Sequence, residues 1–185
     1  MRLRLATGNA HKLHEVREIL GPDHEVEAAD PDVEETGSTF EENALLKARA
    51  LVAATRDAAV ADDSGIEIDH LAVAPGIHSA RWTDEGSWIP RLLRELDGVP
   101  DPGRTGRYVC VAAAVWPDGH EVVARGEVEL RVAHAPRGDG GFGYDPIAIP
   151  LEGDGRTFAE MSPAEKHAIS HRSRAFRALL PLLDR

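Results

Sequence analysis

Ala58-Ala59-Val60-Ala61-Asp62-Asp63-Ser64-Gly65-Ile66-Glu67-Ile68-Asp69 is the stretch on which the fold turns. The apolar run Ala58 to Ala61 suits a buried strand, and Ile66 to Asp69 alternates apolar and acidic residues as a half-buried strand does. Between them Asp62 and Asp63 stand at a strand end, and Gly65 gives the chain freedom to turn. Carboxylates that lose water there need a cation, a proton or backbone N–H groups instead. That suits a metal site, although a solvated Asp-Asp-Ser-Gly turn uses the same residues.

Toward the N-terminus, Arg2 to Ala6 predicts a strand and Lys12 to Leu20 a helix with Leu13, Val16, Ile19 and Leu20 on one face. The connector Thr7-Gly8-Asn9-Ala10-His11-Lys12 sets a Gly/Asn turn before a helix start. Free N–H groups there make an anion site beside the mobile charge of Lys12, or simply a structural turn. It is neither a Walker loop nor a dinucleotide fingerprint. His24 to Ala28 predicts a second strand. Thr39 and Glu42 form a capping box for a helix reaching about Thr55, on which Asn43 and Lys47, four residues apart, share one face. That face is either functional or an exposed polar stripe. Glu34 and Glu35 precede the cap on a loop, as solvated acids or as partners of Asp63 in an oxygen-ligand set for Mg²⁺.

Toward the C-terminus, Leu71 to Trp82 reads as loop, and Ile89, Leu92, Leu93 and Leu96 mark a packing helix. Asp97 to Gly103 is the candidate hinge or lobe boundary. Tyr108 to Trp116 and His120 to Arg125 flank Pro117-Asp118-Gly119 as a hairpin, and Glu127 to Val132 predicts a further strand. In Arg137 to Pro146 the glycines let backbone approach a ligand closely, and the aromatics offer a face to a planar base or belong to the core. Ser162-Pro163-Ala164-Glu165 caps a short helix carrying Lys166, and Ser170-His171-Arg172 leads into a terminal helix packed through Phe176, Leu179, Leu180 and Leu183.

Composition narrows the function. With 32 acidic against 21 basic residues, the formal charge of −11 opposes binding to a nucleic-acid backbone. No apolar run approaches the ~18 residues that span a bilayer, and Met1 to Ala6 lacks the apolar core of a signal peptide, so a cytoplasmic protein without membrane partners is expected. Cys110 is the single cysteine, which leaves no intrachain disulfide. Lysine occurs only at 12, 47 and 166, asparagine only at 9 and 43, and each falls in a stretch singled out above. An ammonium differs from a guanidinium where a point charge meets phosphate.

Taken in order, these stretches resemble the non-standard purine nucleoside triphosphate pyrophosphatase family, the inosine triphosphatase or Ham1-like proteins. The matching motifs are Thr7-Gly8-Asn9 with Lys12, Glu34 to Gly37 followed by Thr39-Phe40 and Glu42-Asn43-Ala44, and Ala61 to Gly65. They continue with Ser79-Ala80-Arg81, Gly141 to Pro146, and Lys166 with Ser170-His171-Arg172. The resemblance runs from Leu5 to Ala175. It implies one α/β domain over residues 1–185, with an elongated mixed β-sheet, flanking helices and two lobes around a central groove. It also implies a homodimer that hydrolyses ITP, dITP and XTP to the monophosphate and pyrophosphate with one or more Mg²⁺ per active site, cleansing the nucleotide pool. By the same resemblance Asp63 is the catalytic acid and a metal contact, and Glu34 a metal ligand. Substrate contacts fall on Thr7, Gly8, Asn9, Ala10, His11, Lys12, Ser64, Phe142, Gly143, Tyr144, Asp145, Lys166, His171 and Arg172.

The chemistry of a triphosphate agrees with this assignment. Its charge beside Asp63 and Glu34 requires a divalent cation, a water next to Asp63 is the natural nucleophile, and Lys12 with Lys47 would stabilise charge on leaving pyrophosphate. Donors such as His171 and Arg172 would welcome the oxygen at purine position 6 and leave an amino group unpaired, while Phe142 or Tyr144 would stack on the base. His11, Trp82, His167 and Ser173 depart from the family pattern, which bears on pocket width and the phosphate loop. Two alternatives remain open, a Maf-like pyrophosphatase of another nucleotide and a nucleotide-sensing module without turnover.

Overall fold

Alternating strand and helix signals assemble into an α/β protein, described in this computed structural model over residues 1–82 and 88–184, with His11 described in its backbone alone. The elements are β1 (Arg2–Ala6), α1 (Ala10–Leu20), β2 (Glu25–Ala29), α2 (Phe40–Thr55), β3 (Ala59–Ile68), α3 (Trp88–Glu95), β4 (Thr105–Val115), β5 (Glu121–Val132), β6 (Ala148–Pro150), α4 (Pro163–Ile169) and α5 (His171–Leu183). The six strands form one sheet in the order β2-β1-β3-β4-β5-β6. It is mixed, as expected: β1 runs parallel to β2 and β3, and β5 antiparallel to β6. Among the described residues no helix is long and apolar enough to cross a membrane.

The chain divides into two compact units, Met1–Ser64 with Cys110–Gly126 and His171–Arg185, and Gly65–Val109 with Glu127–Ser170. Both sheet faces are covered in the first unit. Val60 and Ala58 join Leu3, Leu5 and Cys110 against Val16 and Leu20 of α1 and Phe176, Leu179 and Leu183 of α5. Ala59 and Ala61 join Ala6 and Val115 against Ala48 and Leu51 of α2. The even and odd residues of β3 thus serve different layers, as the strand period of two demands. The second unit has its own core, in which Ile66, Ile68, Val128 and Leu130 pack with Leu92, Leu96, Ile147 and Phe158.

Three expectations are corrected. Asp62 to Gly65 is not a turn at a strand end: β3 runs unbroken through it, because side chains from neighbouring elements replace the water that the acids lose. The two strands read across Gly126 are one, β5. A Cβ on Gly126 would lie 2.2 Å from the His171 carbonyl oxygen and 2.4 Å from the Ala175 nitrogen, so this glycine admits the backbone of α5 instead of breaking the strand. Asp97 to Gly103 is no boundary either. It lies inside the second unit, and the division falls within β3, β4 and β5 and between α4 and α5. Buried Arg104 fixes the segment by donating to the carbonyls of Leu96, Val132 and Ala133 at 2.7, 3.0 and 3.1 Å.

Candidate active site

Adjacent residues of a strand point to opposite faces, so Asp62 and Asp63 have different surroundings. Asp63 faces α2. That helix starts where expected: the Thr39 hydroxyl accepts the Glu42 N–H at 3.1 Å, and the Glu42 carboxylate accepts the N–H and hydroxyl of Ser38 at 2.6 and 2.8 Å. The cap sets the rotation of α2 so that Asn43 and Lys47 face β3. Asn43 donates to Asp63 Oδ2 at 3.2 Å and accepts the Gly37 N–H at 2.8 Å, and Lys47 donates to Asp63 Oδ1 at 3.0 Å and to Glu35 Oε1 at 2.7 Å. The polar stripe is therefore turned inward onto Asp63 and is not an exposed one. Burial lifts the Asp63 pKa above the ordinary carboxylate value despite Lys47, and Glu35 adds to the rise. Burial works to lower Lys47, but Asp63, Glu35 and Asp62 outweigh it and raise its pKa.

Asp62 faces α1 and α5. Asn9 opens α1, its side-chain oxygen taking the Lys12 N–H at 3.4 Å, and Thr7 Oγ1 takes the Asn9 N–H at 3.0 Å. Gly8, Asn9 and Ala10 lie exposed at this helix start, as an anion site requires, while Thr7 is buried. Lys12 is not the mobile charge expected there: its ammonium sits 2.8 Å from Asp62 Oδ1. The side chain of His11 lies outside the described residues. Arg172, near the start of α5, donates to Glu15 at 2.7 Å and brings Nε within 3.6 Å of Asp62 Oδ2. Ser64 donates to the same oxygen at 3.0 Å, and His171 is buried at the first position of α5. Burial pushes Asp62 upward, but Lys12 and Arg172 hold it well below the usual carboxylate range, and Asp62 with Glu15 keeps buried Arg172 charged. Cys110, its thiol 3.7 Å from Asp62, is pushed up to about 12 by burial and this neighbour.

In the second unit Asp145 organises the glycine-rich loop. It accepts the Phe142 N–H at 2.8 Å, the Lys166 ammonium at 2.5 Å and the Tyr108 hydroxyl at 3.2 Å. Gly141, at φ 71°, would bring a Cβ within 2.2 Å of Asp145 Oδ2, so no other residue fits there. Lys166 lies 4.2 Å from the centroid of Phe142, whose side chain is half exposed, and Gly143 beside it holds φ 62°. Tyr144 is buried, with its hydroxyl on the Ser79 carbonyl at 3.2 Å. Of the two candidate stacking rings, Phe142 is therefore the one that presents a face.

The three lysines of the chain all pair with buried aspartates, Lys12 with Asp62, Lys47 with Asp63 and Lys166 with Asp145. Sequence reasoning did not give Asp62 and Asn43 roles of their own. The i, i+4 spacing of Asn43 and Lys47 was a signal for one, and the strand parity of Asp62 would have served for the other. Glu34 is exposed on its loop, whereas Glu35 reaches Lys47. The donor set fits Mg²⁺: two carboxylates share one ammonium, which leaves negative charge in excess, with Glu34 adjacent. Among the described residues no three Asp, Glu, His or Cys side chains gather into a ready-made cage, and Mg²⁺ uses one or two carboxylates with water and phosphate oxygens.

The sequence profile of the Ham1 family matches residues 3–182. A dITP/XTP pyrophosphatase of Streptomyces coelicolor is 50% identical over 194 aligned residues, covering 98% of this chain and 96% of that protein. One from Symbiobacterium thermophilum is 53% identical, covering 98% and 94%. The Ham1 protein of Staphylococcus aureus superimposes with a TM-score of 0.89 at 37% identity, covering 100% of this chain and 98% of that one. A profile match over nearly every residue, relatives sharing half of their residues and a common fold have one meaning: the chain belongs to the Ham1 family.

Proposed function

We propose that the protein hydrolyses dITP, XTP and ITP between the α- and β-phosphates, releasing the monophosphate and pyrophosphate. The observation that carries this reading is Asp63, a buried carboxylate with a raised pKa, set against a single lysine and an asparagine. A base of that kind takes a proton from water nearer to neutral pH than an exposed aspartate would. Asn43 and Lys47 fix the orientation of its carboxylate. Lys47 also puts positive charge where the triphosphate loses its anhydride bond, and the exposed amides at the start of α1 take phosphate oxygens. Asp63 and Glu34 would hold Mg²⁺, which would neutralise the phosphate charge.

Base selection follows from donors. His171 and Arg172 favour an oxygen at purine position 6, and an amino group there leaves buried donors unpaired, a difference of up to about 10⁴-fold. In the second unit the Phe142 ring, backed by Lys166, suits a planar purine. The names of the Streptomyces and Symbiobacterium relatives support the same substrates. The protein works in the cytoplasm as a homodimer.

The test is pyrophosphate release from dITP, XTP, ITP, ATP and GTP, with Mg²⁺ and with chelator. Metal-dependent release confined to the first three is expected. Turnover of another nucleotide alone would favour a Maf-like specificity, and binding without turnover a sensing module; either result overturns the reading.

A further inference from the structure

Asp62 is buried to 1% of its surface and has no path to the chemistry at Asp63, which lies on the other face of β3. Its contacts are nonetheless those of a hub. Oδ1 meets the Lys12 ammonium at 2.8 Å, and Oδ2 receives the Ser64 hydroxyl at 3.0 Å with Arg172 Nε at 3.6 Å. Lys12 belongs to α1 and Arg172 to α5, elements from opposite ends of the chain that pack together. Glu15 of α1 holds the far end of the guanidinium at 2.7 Å, and Cys110 of β4 closes the pocket as an uncharged thiol. A lysine has four rotatable bonds and scatters unless something holds it, and two cations brought together in a protein interior repel. One buried anion between them removes both difficulties. An ammonium has three donors, so Lys12 can keep one on Asp62 and turn the others outward.

We propose that Asp62 is a positioning residue, a fixed internal anion that aims Lys12 and Arg172 so that both address one bound nucleotide, Lys12 at its polyphosphate and Arg172 at its base. This rests on the pyrophosphatase reading above and assigns the two neighbouring aspartates separate duties: Asp63 acts on the reacting atoms, and Asp62 acts through the cations.

The test is a cycle of kcat and KM for dITP in the full-length protein as wild type, Lys12→Met, Asp62→Asn and the double variant, each checked by thermal melting. Both single variants should lose kcat/KM by about 10²-fold or more. The double variant should fall within about threefold of the worse single one, because residues that act as a unit are not additive. Losses that multiply, or an Asp62→Asn enzyme within about threefold of wild type, would overturn the proposal. A purely structural aspartate would show no coupling to Lys12. Should Asp62→Asn not melt cooperatively, Asp62→Glu takes its place. It keeps the charge but moves it by one methylene, and loss of kcat/KM coupled to Lys12 is again expected, with full activity or multiplying losses as the contrary results. If the wild type itself fails to turn over dITP, the pyrophosphatase reading fails separately. The same cycle is then read on the Kd for inorganic pyrophosphate by calorimetry, where coupling supports the positioning role and additivity removes it.

Discussion

The side chains of Asp62 and Asp63 carry the same chemical group, yet their neighbours shift them in opposite directions. Asp62 has a folded pKa below its unfolded value, so its contribution to stability is full above about pH 4 and is lost as pH falls further. Replacing it with asparagine leaves partly buried Lys12 without its anion and buried Arg172 with Glu15 alone, a loss of about 3 kcal/mol at pH 7. The gap in Tm between wild type and Asp62→Asn, read by calorimetry, should narrow as pH drops from 5 toward 3. Asp63 runs the other way: burial raises its folded pKa, so the ionised form is a cost to folding as pH rises past the unfolded value. Asp63→Asn should therefore melt no lower than wild type in metal-free buffer at pH 7. On the proposed reading, function keeps the aspartate at the expense of stability. The presence of acids here was legible in the sequence, but their separation was not. An Asp-Asp-Ser-Gly composition speaks for a turn, and only the cations from α1, α2 and α5 make an extended backbone tolerable through it.

Among the elements, those defined by local chemistry were the legible ones. The box of α4 formed as Ser162 with Glu165 foretold, because every atom of such a cap lies within four residues. At α2 Thr39 took the Glu42 N–H as expected, while the Glu42 carboxylate turned chiefly to Ser38 rather than to the Thr39 N–H. Thr39→Ala should cost about 1 kcal/mol and, since α2 carries Asn43 and Lys47, also lower kcat; a melt and a steady-state assay read the two effects together. Strand β5 was illegible at Gly126 because its continuity depends on α5, far away in sequence. Any Cβ there must push back the turn that bears His171 and Arg172. Gly126→Ala is predicted to raise KM for dITP with a smaller change in kcat, and an unchanged KM would show that the seat of α5 does not position that pair.

For the whole molecule, the acidic balance of −11 coexists with lysines that each lie against an internal carboxylate. The charge that meets substrate is thus local. Where the sheet divides into its two units was hidden from the sequence, because the division falls inside strands instead of at the Pro/Gly-rich Asp97 to Gly103. On the proposed reading Mg²⁺ serves the reaction, while the cores are built from apolar side chains of the chain itself. A chelator should stop turnover and leave the far-UV circular dichroism spectrum unchanged. The most direct test of the account is pyrophosphate release from dITP by Asp63→Asn beside wild type, with the Kd for dITP measured on both. The account predicts a fall in kcat of about 10³-fold with Kd within about threefold. A variant whose kcat stays within about tenfold of wild type would place the chemistry somewhere other than Asp63.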